Sequence, residues 1–253
     1  MSDPIKTANI VIIGGGAVGC GVAYSLTKAG IEDVLLLEKE PTLAAATSGQ
    51  AAGLVGQVRN SVERTQLAMW SVQTFGELQA DDTANPGWRQ VGSLRVALND
   101  ERVKEFEGMK AVADEAGLET EFIDNAAANE HWPLMDFSAA KAVLWCASDG
   151  YLQPSDLTMA YVAHARKMGA QFLTSTPARS IRLEGGRVTG VETDAGVIEC
   201  NSDMGPGEMA ILIDTARISG RPLSILLLQI NAEPNLWRET LSHIASANKA
   251  GLE

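Results

Sequence analysis

Two kinds of apolar pattern alternate along the chain. Near the N-terminus, Ala8-Asn9-Ile10-Val11-Ile12-Ile13 is short, nearly continuous and rich in β-branched side chains. That is the pattern of a strand buried on both faces. Residues 20–29 have helical spacing, with Val22, Leu26 and Ala29 on one face and Gly30 placed to end the helix. Residues 33–38 are a second buried-strand run, so strand, helix and strand form a βαβ unit. Residues 43–56 are rich in Ala, Gly, Ser and Thr and offer little to bury. Beyond them the pattern predicts a helix over 61–78 and a strand over 90–98. A helix follows over Asp100–Ala116, capped by Asp100 and stopped by Gly117. Ala142–Cys146 reads as a strand, 154–168 as a helix and 170–174 as a strand. Residues 178–183, 187–192 and 197–200, joined by Gly-bearing turns, predict an antiparallel meander. A polar Gly/Pro joint at 202–208 leads to a strand at 222–230 and an amphipathic helix at 235–250. The fold class is α/β.

Composition narrows the partners. The 253 residues carry 20 Lys and Arg against 32 Asp and Glu, a formal charge of −12, and 45% are hydrophobic. There is ample material for a core. Nucleic acid and anionic membrane are poor main partners for such a chain, since both require clustered cations. No apolar stretch approaches the roughly 20 residues of a spanning helix. Residues 1–8 are polar and run straight into a strand, so no signal peptide is expected. Cys20, Cys146 and Cys200 are far apart. They form neither a metal pattern nor a disulfide framework, so the cytoplasm is the expected compartment, with no metal. His131, His164 and His243 are isolated, which favours structural roles, and Trp70, Trp88, Trp132 and Trp145 are expected to pack. Arg59 and Arg95 are read as surface residues with the chemistry to bind a carboxylate.

The chemistry begins at Gly14-x-Gly16-x-x-Gly19. Gly14 permits a tight turn out of the strand, Gly16 lets a pyrophosphate approach the backbone, and Gly19 lets helix and strand pack closely. The helix N-terminus presents free N–H groups to the phosphates. Glu38 stands 19 residues after Gly19, at the end of the second strand. A carboxylate there accepts hydrogen bonds from ribose hydroxyls and disfavours a 2′-phosphate, so NADP is not expected. NAD and FAD share this fingerprint.

Three segments taken in order separate them. Residues 12–19 (IIGGGAVG), 36–39 (LLEK) and 47–54 (TSGQAAGL) resemble the FAD-dependent D-amino-acid-oxidase-like family, and most nearly its sarcosine and dimethylglycine dehydrogenase branch. Residues 90–95, 149–157 and 186–193 resemble further segments of that branch. The resemblance implies a Rossmann-like FAD-binding domain with a parallel sheet and β-meander, made from residues 1–85 and 150–201. A partial mixed α+β substrate lobe would occupy 86–149, and an atypical tail 202–253. It implies that Gly14, Gly15, Gly16, Ala17, Val18 and Gly19 hold the FAD pyrophosphate. Glu38 would take the adenosine ribose, with Lys39 beside the adenosine. Thr47 and Ser48 would lie near the phosphates, Gln50, Ala51, Ala52, Gly53 and Leu54 along the flavin edge, and Ala178 against adenine. Some members of the branch carry, where Gln50 stands, a histidine that bonds the flavin. Glutamine cannot form that bond, so FAD is expected to be non-covalent. The implied activity is oxidation of a small N-methylated or amino-acid-type amine by hydride transfer to flavin, with no catalytic residue identified. The match ends near residue 200, so a truncated chain, or one that needs a partner chain to complete the flavin site, is expected. The alternative is a catalytically silent dinucleotide-binding remnant.

Overall fold

The computed structural model describes residues 5–184, 187–200 and 211–213. Two compact units emerge, Met1–Ala51 with Pro154–Glu253, and Ala52–Gln153. The first unit opens with β1 (Thr7–Ala8), β2 (Ile10–Ile13), α1 (Ala17–Lys28), β3 (Val34–Leu37) and the single turn α2 (Thr47–Gln50). The second holds β4 (Leu54–Val55), α3 (Val62–Ala80), β5 (Arg89–Gln90), β6 (Ser93–Ala97), α4 (Asp100–Ala116), β7 (Glu121–Ile123), α5 (Asn125–His131), β8 (Ala142–Cys146) and β9 (Gly150–Tyr151). The chain then returns to the first unit as α6 (Pro154–Lys167), β10 (Gln171–Leu173), β11 (Ala178–Glu184), β12 (Arg187–Thr193), β13 (Gly196–Cys200) and β14 (Ile211–Ile213).

The first unit is built on a parallel sheet in the order β10-β3-β2-β14. Val11, Leu35 and Leu37 join Ala8, Val191 and Ile198 in one apolar cluster. That face of the sheet therefore packs on the meander sheet β1-β13-β12-β11. Side chains alternate across a strand, and Ile12 points the other way, toward Gly19 of α1. There α1 packs against α6, with the rings of Tyr24 and Tyr161 5.4 Å apart. Burial pushes the Tyr161 phenol above its ordinary pKa, and Tyr24 adds to the effect. Cover on both faces is why these strands read as unbroken apolar runs. The arrangement is the expected Rossmann-like α/β fold.

Some local readings are corrected. Helix α1 starts at Ala17 rather than residue 20, and it buries Gly19, Cys20, Ala23, Tyr24, Leu26 and Thr27, while Ala29 is exposed. The Thr27 hydroxyl donates back to the Ala23 carbonyl at 2.8 Å, so a polar residue sits comfortably on the buried face. The strand β14, parallel to β2, has no counterpart in the sequence reading. The joint at 202–208, the strand at 222–230 and the helix at 235–250 lie outside the described residues, as does the turn at Gly185-Gly186.

In the second unit the antiparallel sheet β6-β8-β7 has apolar cover on both faces. Ala97, Leu144 and Cys146 meet Phe106 and Ala113 of α4, while Val96, Val143 and Ile123 meet Phe137 and Ala128. The single strand expected over 90–98 is instead two strands in two sheets. β5 pairs with β9, β6 pairs with β8, and Gly92 between them has φ +78°. The N–H groups of Val91 and Gly92 both donate to the Asp149 carbonyl, at 3.2 and 2.8 Å. The turn therefore forms inside an apparently continuous pattern.

The cap of α4 is also shifted by one residue. The Asn99 side chain accepts from Arg102 N–H at 2.8 Å, while Asp100 pairs with Lys141 Nζ at 2.6 Å on the surface. Asn99→Ala is expected to lower the stability of the second unit by about 1 kcal/mol. Asp100→Ala should change it by less than about 0.5 kcal/mol, because exposed ion pairs contribute little. Urea denaturation of the two variants side by side measures both.

Candidate functional site

Strand β2 ends at Ile13 and α1 begins at Ala17, so Gly14, Gly15 and Gly16 make the whole crossing. Gly14 has φ +113°, which an L side chain rarely adopts, and its N–H donates to Leu37 O at 2.8 Å. The N-cap Gly16 is extended and makes no side-chain capping bond, and the first turn of α1 carries no acidic residue. The helix thus places no acidic side chain of its own at its positive end. A Cβ on Gly19 would lie 2.0 Å from Gly14 O, so the helix rests directly on the turn. Val18 is 57% exposed.

Glu38 follows β3 and is buried. Its Oε2 accepts from Gly15 N–H at 2.6 Å and its Oε1 from Glu40 N–H at 2.8 Å. A carboxylate has about four acceptor positions, so roughly two remain for ribose hydroxyls. Lys39 is mostly exposed beside it, with Nζ 3.7 Å from Glu40. The segment that leads into β11 is tied to the same place. Thr176 N–H donates to Glu38 O at 2.8 Å and Ser175 N–H to Glu40 O at 2.9 Å, just before Ala178 opens the strand.

Helix α2 is held to the start of α1. Ala17 N–H donates to Ser48 Oγ at 3.0 Å, and Ala44 N–H donates to Gly15 O at 2.9 Å. Thr47 opens α2, and Gln50 and Ala51 end it on the exposed surface. Ala52, Gly53 and Leu54 belong to the second unit, where Leu54 is 83% exposed and β4 pairs with β9. The first unit thus gathers the glycine turn, Glu38, Lys39, Ser48 and the entry to Ala178. It does not gather Ala52, Gly53 and Leu54.

The sequence reading missed the buttress at 43–44. Leu43 lies against Gly15, where a Cβ would meet its Cδ2 at 2.5 Å, and Ala44 has φ +57°. Alanine carries no signal for a left-handed backbone, so nothing in the pattern marks the position.

The remaining candidates are structural. Burial pushes the Cys146 thiol up to about 11, so it offers little thiolate near neutral pH. His131 stacks on Trp145 at 4.0 Å, and the buried His164 meets Tyr24 edge-on at 5.9 Å. His243 lies outside the described residues. Trp88 is buried, but Trp70 and Trp132 are 55% and 57% exposed and do not pack as expected. Among the described residues no helix is long and apolar enough to cross a membrane.

A side-chain-free turn, a helix end with no acidic residue in its own first turn and a carboxylate with spare acceptors form one cradle. It fits the adenosine and pyrophosphate part of a dinucleotide. Comparison with known proteins agrees. Residues 9–203 match the family described as FAD dependent oxidoreductase. The 4-methylaminobutanoate oxidase (formaldehyde-forming) of Paenarthrobacter nicotinovorans is 34% identical over 200 residues, which are 79% of this chain and 24% of that protein. The mitochondrial dimethylglycine dehydrogenase of Homo sapiens is 34% identical over 194 residues, 77% of this chain and 22% of that one. The chain therefore spans under a quarter of the length of these two relatives. The L-proline dehydrogenase of P. horikoshii aligns with a TM-score of 0.76 at 26% identity, covering 84% of this chain and 54% of that one. With a family match that runs over most of its length, this chain belongs to the FAD-dependent oxidoreductase family.

Proposed function

We propose that this chain binds FAD non-covalently and serves the oxidation of a small N-methylated or amino-acid-type amine. The observation that carries the reading is the Glu38 carboxylate, bonded to Gly15 N–H beside the open N-terminus of α1. Gly14, Gly15, Gly16, Ala17, Val18 and Gly19 form the pyrophosphate cradle, and Glu38 takes the ribose. Lys39 borders the adenosine. Ser48, already bonded to Ala17 N–H, and Thr47 lie toward the phosphates. The backbone at Ala178 meets adenine, and Gln50, Ala51, Ala52, Gly53 and Leu54 follow the flavin edge. FAD, when bound, supplies the hydride acceptor. The protein's part is to anchor the charged end of the cofactor and leave the other end open to substrate. Glutamine at position 50 has no nucleophilic ring nitrogen that could bond the flavin, which supports non-covalent binding.

Cofactor binding is assigned to residues 1–85 and 150–201 and substrate contact to 86–149, with 202–253 as a separate tail. This functional division differs from the two compact units at residues 52–85 and 150–153. A partner chain that covers the exposed Leu54 would complete the flavin site. The buried Cys146, which forms no disulfide, supports a cytoplasmic setting.

The purified chain should show flavin absorbance, and acid precipitation should leave all of that colour in the supernatant. Anaerobic addition of sarcosine, dimethylglycine or 4-methylaminobutanoate should bleach it. Colour that stays with the precipitate would overturn non-covalent binding. A flavin that none of the three amines reduces would point to the silent dinucleotide-binding alternative.

A further inference from the structure

Strands β4, β9 and β5 form a three-stranded sheet with β9 in the middle. Leu54 of β4 and Arg89 of β5 both pair directly with Tyr151 of β9. Residues directly opposite in an antiparallel pair share a face, with Cβ atoms about 5 Å apart. Leu54, Tyr151 and Arg89 therefore stand in one row across the sheet. The row is open, with Leu54 83% exposed, Tyr151 48% exposed and Arg89 exposed. Among the described residues no hydrogen bond reaches the Tyr151 hydroxyl and no aromatic ring stacks on it.

The backbone beneath the row is fixed. Gly150 faces the other way and lies flush on β5, where a Cβ would stand 2.0 Å from Arg89 O and 2.9 Å from the Trp88 ring. Trp88 is buried, with its ring centroid 5.8 Å from that of Phe75. Before Gly150, the buried Asp149 accepts from Gln57 and Ser93, with the half-buried Arg59 and Arg95 alongside. After Tyr151, Leu152 N–H donates to Gly53 O at 3.0 Å. An exposed aromatic side chain on a backbone held from both sides is pre-organised to receive a flat partner. Leucine and tyrosine side by side also leave apolar area uncovered.

Leu54 ends the segment assigned above to the flavin edge, and Tyr151 is its direct cross-strand neighbour. The row also matches the ring in shape and polarity. An isoalloxazine is flat and elongated, apolar at its dimethylbenzene end and polar at its pyrimidine end. The row passes from leucine through a phenol to a guanidinium over two strand spacings, about 9–10 Å.

We propose that the Leu54–Tyr151–Arg89 row is the seat of the isoalloxazine on the second unit, with the Tyr151 ring in contact with the flavin. This seat rests on the FAD binding proposed above and extends it to a residue of β9. All three residues belong to the second unit.

Flavin emission tests the contact. A tyrosine that touches an excited flavin gives it an electron and takes it back, so the light is lost. Tryptophan does the same and phenylalanine cannot. The full chain with FAD bound should therefore fluoresce weakly. Tyr151→Phe should hold as much FAD by absorbance and emit several-fold more per bound flavin, and Tyr151→Trp should return emission to the native level. A role confined to folding would change FAD content or the melting temperature and leave emission per bound flavin alone. Equal emission from the native chain and Tyr151→Phe, both holding FAD, would overturn the contact while leaving FAD binding intact, as would a Trp variant as bright as the Phe variant. A native chain that takes up no added FAD would instead overturn the cofactor reading, and the seat with it. Should Tyr151→Phe fail to fold, Tyr151→Leu removes the electron donor in the same way.

Discussion

Gly19→Val is expected to strip the purified protein of flavin and to destabilise the first unit by about 3 kcal/mol or more. The reason is contact, since α1 accommodates valine's backbone angles with only a small loss of propensity. A Cβ at position 19 would stand 2.0 Å from Gly14 O, and that carbonyl is backbone in the middle of the turn. It cannot swing aside as a side chain can. Relief requires α1 to lift away from β2, which opens the packing between Gly19 and Ile12 and moves the helix N-terminus off the phosphate position. Gly15→Ala provides the contrast. Its Cβ would meet Leu43 Cδ2 at 2.5 Å and Glu38 Oε2 at 2.9 Å, both on side chains. Leu43 can rotate, so the fold should survive with a loss of about 1–2 kcal/mol. Displacing the Glu38 carboxylate should still weaken FAD binding. Thermal melts and flavin absorbance on the two variants separate the effects: Gly19→Val loses stability and colour together, Gly15→Ala mainly colour. If Gly19→Val melts like the native chain and remains yellow, α1 does not need to seat on the turn.

That contrast also explains which parts of the molecule could be read from the sequence. Gly14 and Gly19 are required by backbone geometry alone, one by a positive φ and the other by a close approach, so their spacing carries the information directly. β2 and β3 announce themselves because helices and the meander cover both sheet faces, which forces continuous apolar runs. The turn at Gly92 is different. It interrupts an alternation that continues on both sides, and only the Asp149 carbonyl that receives its N–H reveals why the chain breaks there. Ala44 adopts a left-handed backbone with a residue type that favours no such state. Asn99 and Asp100 are adjacent residues of equal capping ability, and the choice between them depends on which side chain reaches Arg102 N–H. Each of these cases is decided by a tertiary contact rather than by local preference.

Asp149 is the strongest instance, since its side-chain partner Gln57 lies 92 residues away. Asp149→Ala is expected to cost the second unit about 4 kcal/mol, with no change in the urea m-value. The carboxyl group is fully buried. Oδ1 accepts from Gln57 N–H at 2.8 Å and from Gln57 Nε2 at 3.0 Å, and Oδ2 accepts from Ser93 Oγ at 2.6 Å. One side chain therefore joins the segment before α3, the start of β6 and the β8–β9 connection. Alanine would leave a backbone N–H, an amide and a hydroxyl without that acceptor in a site where water does not reach. Each such group costs about 1–3 kcal/mol when orphaned, and the three are not additive because Gln57 Nε2 also bonds Ser148 Oγ at 2.8 Å. Asp149→Asn discriminates between hydrogen bonding and charge. Its carbonyl can keep both Gln57 bonds while its NH2 donates to the Ser93 hydroxyl, so the loss should fall to about 1–2 kcal/mol. An Asn variant as unstable as the Ala variant would show that the negative charge near Arg59 and Arg95, rather than the hydrogen-bond set, holds this part of the chain together. A loss below about 1 kcal/mol in the Ala variant would show that the three segments are joined by their apolar packing alone.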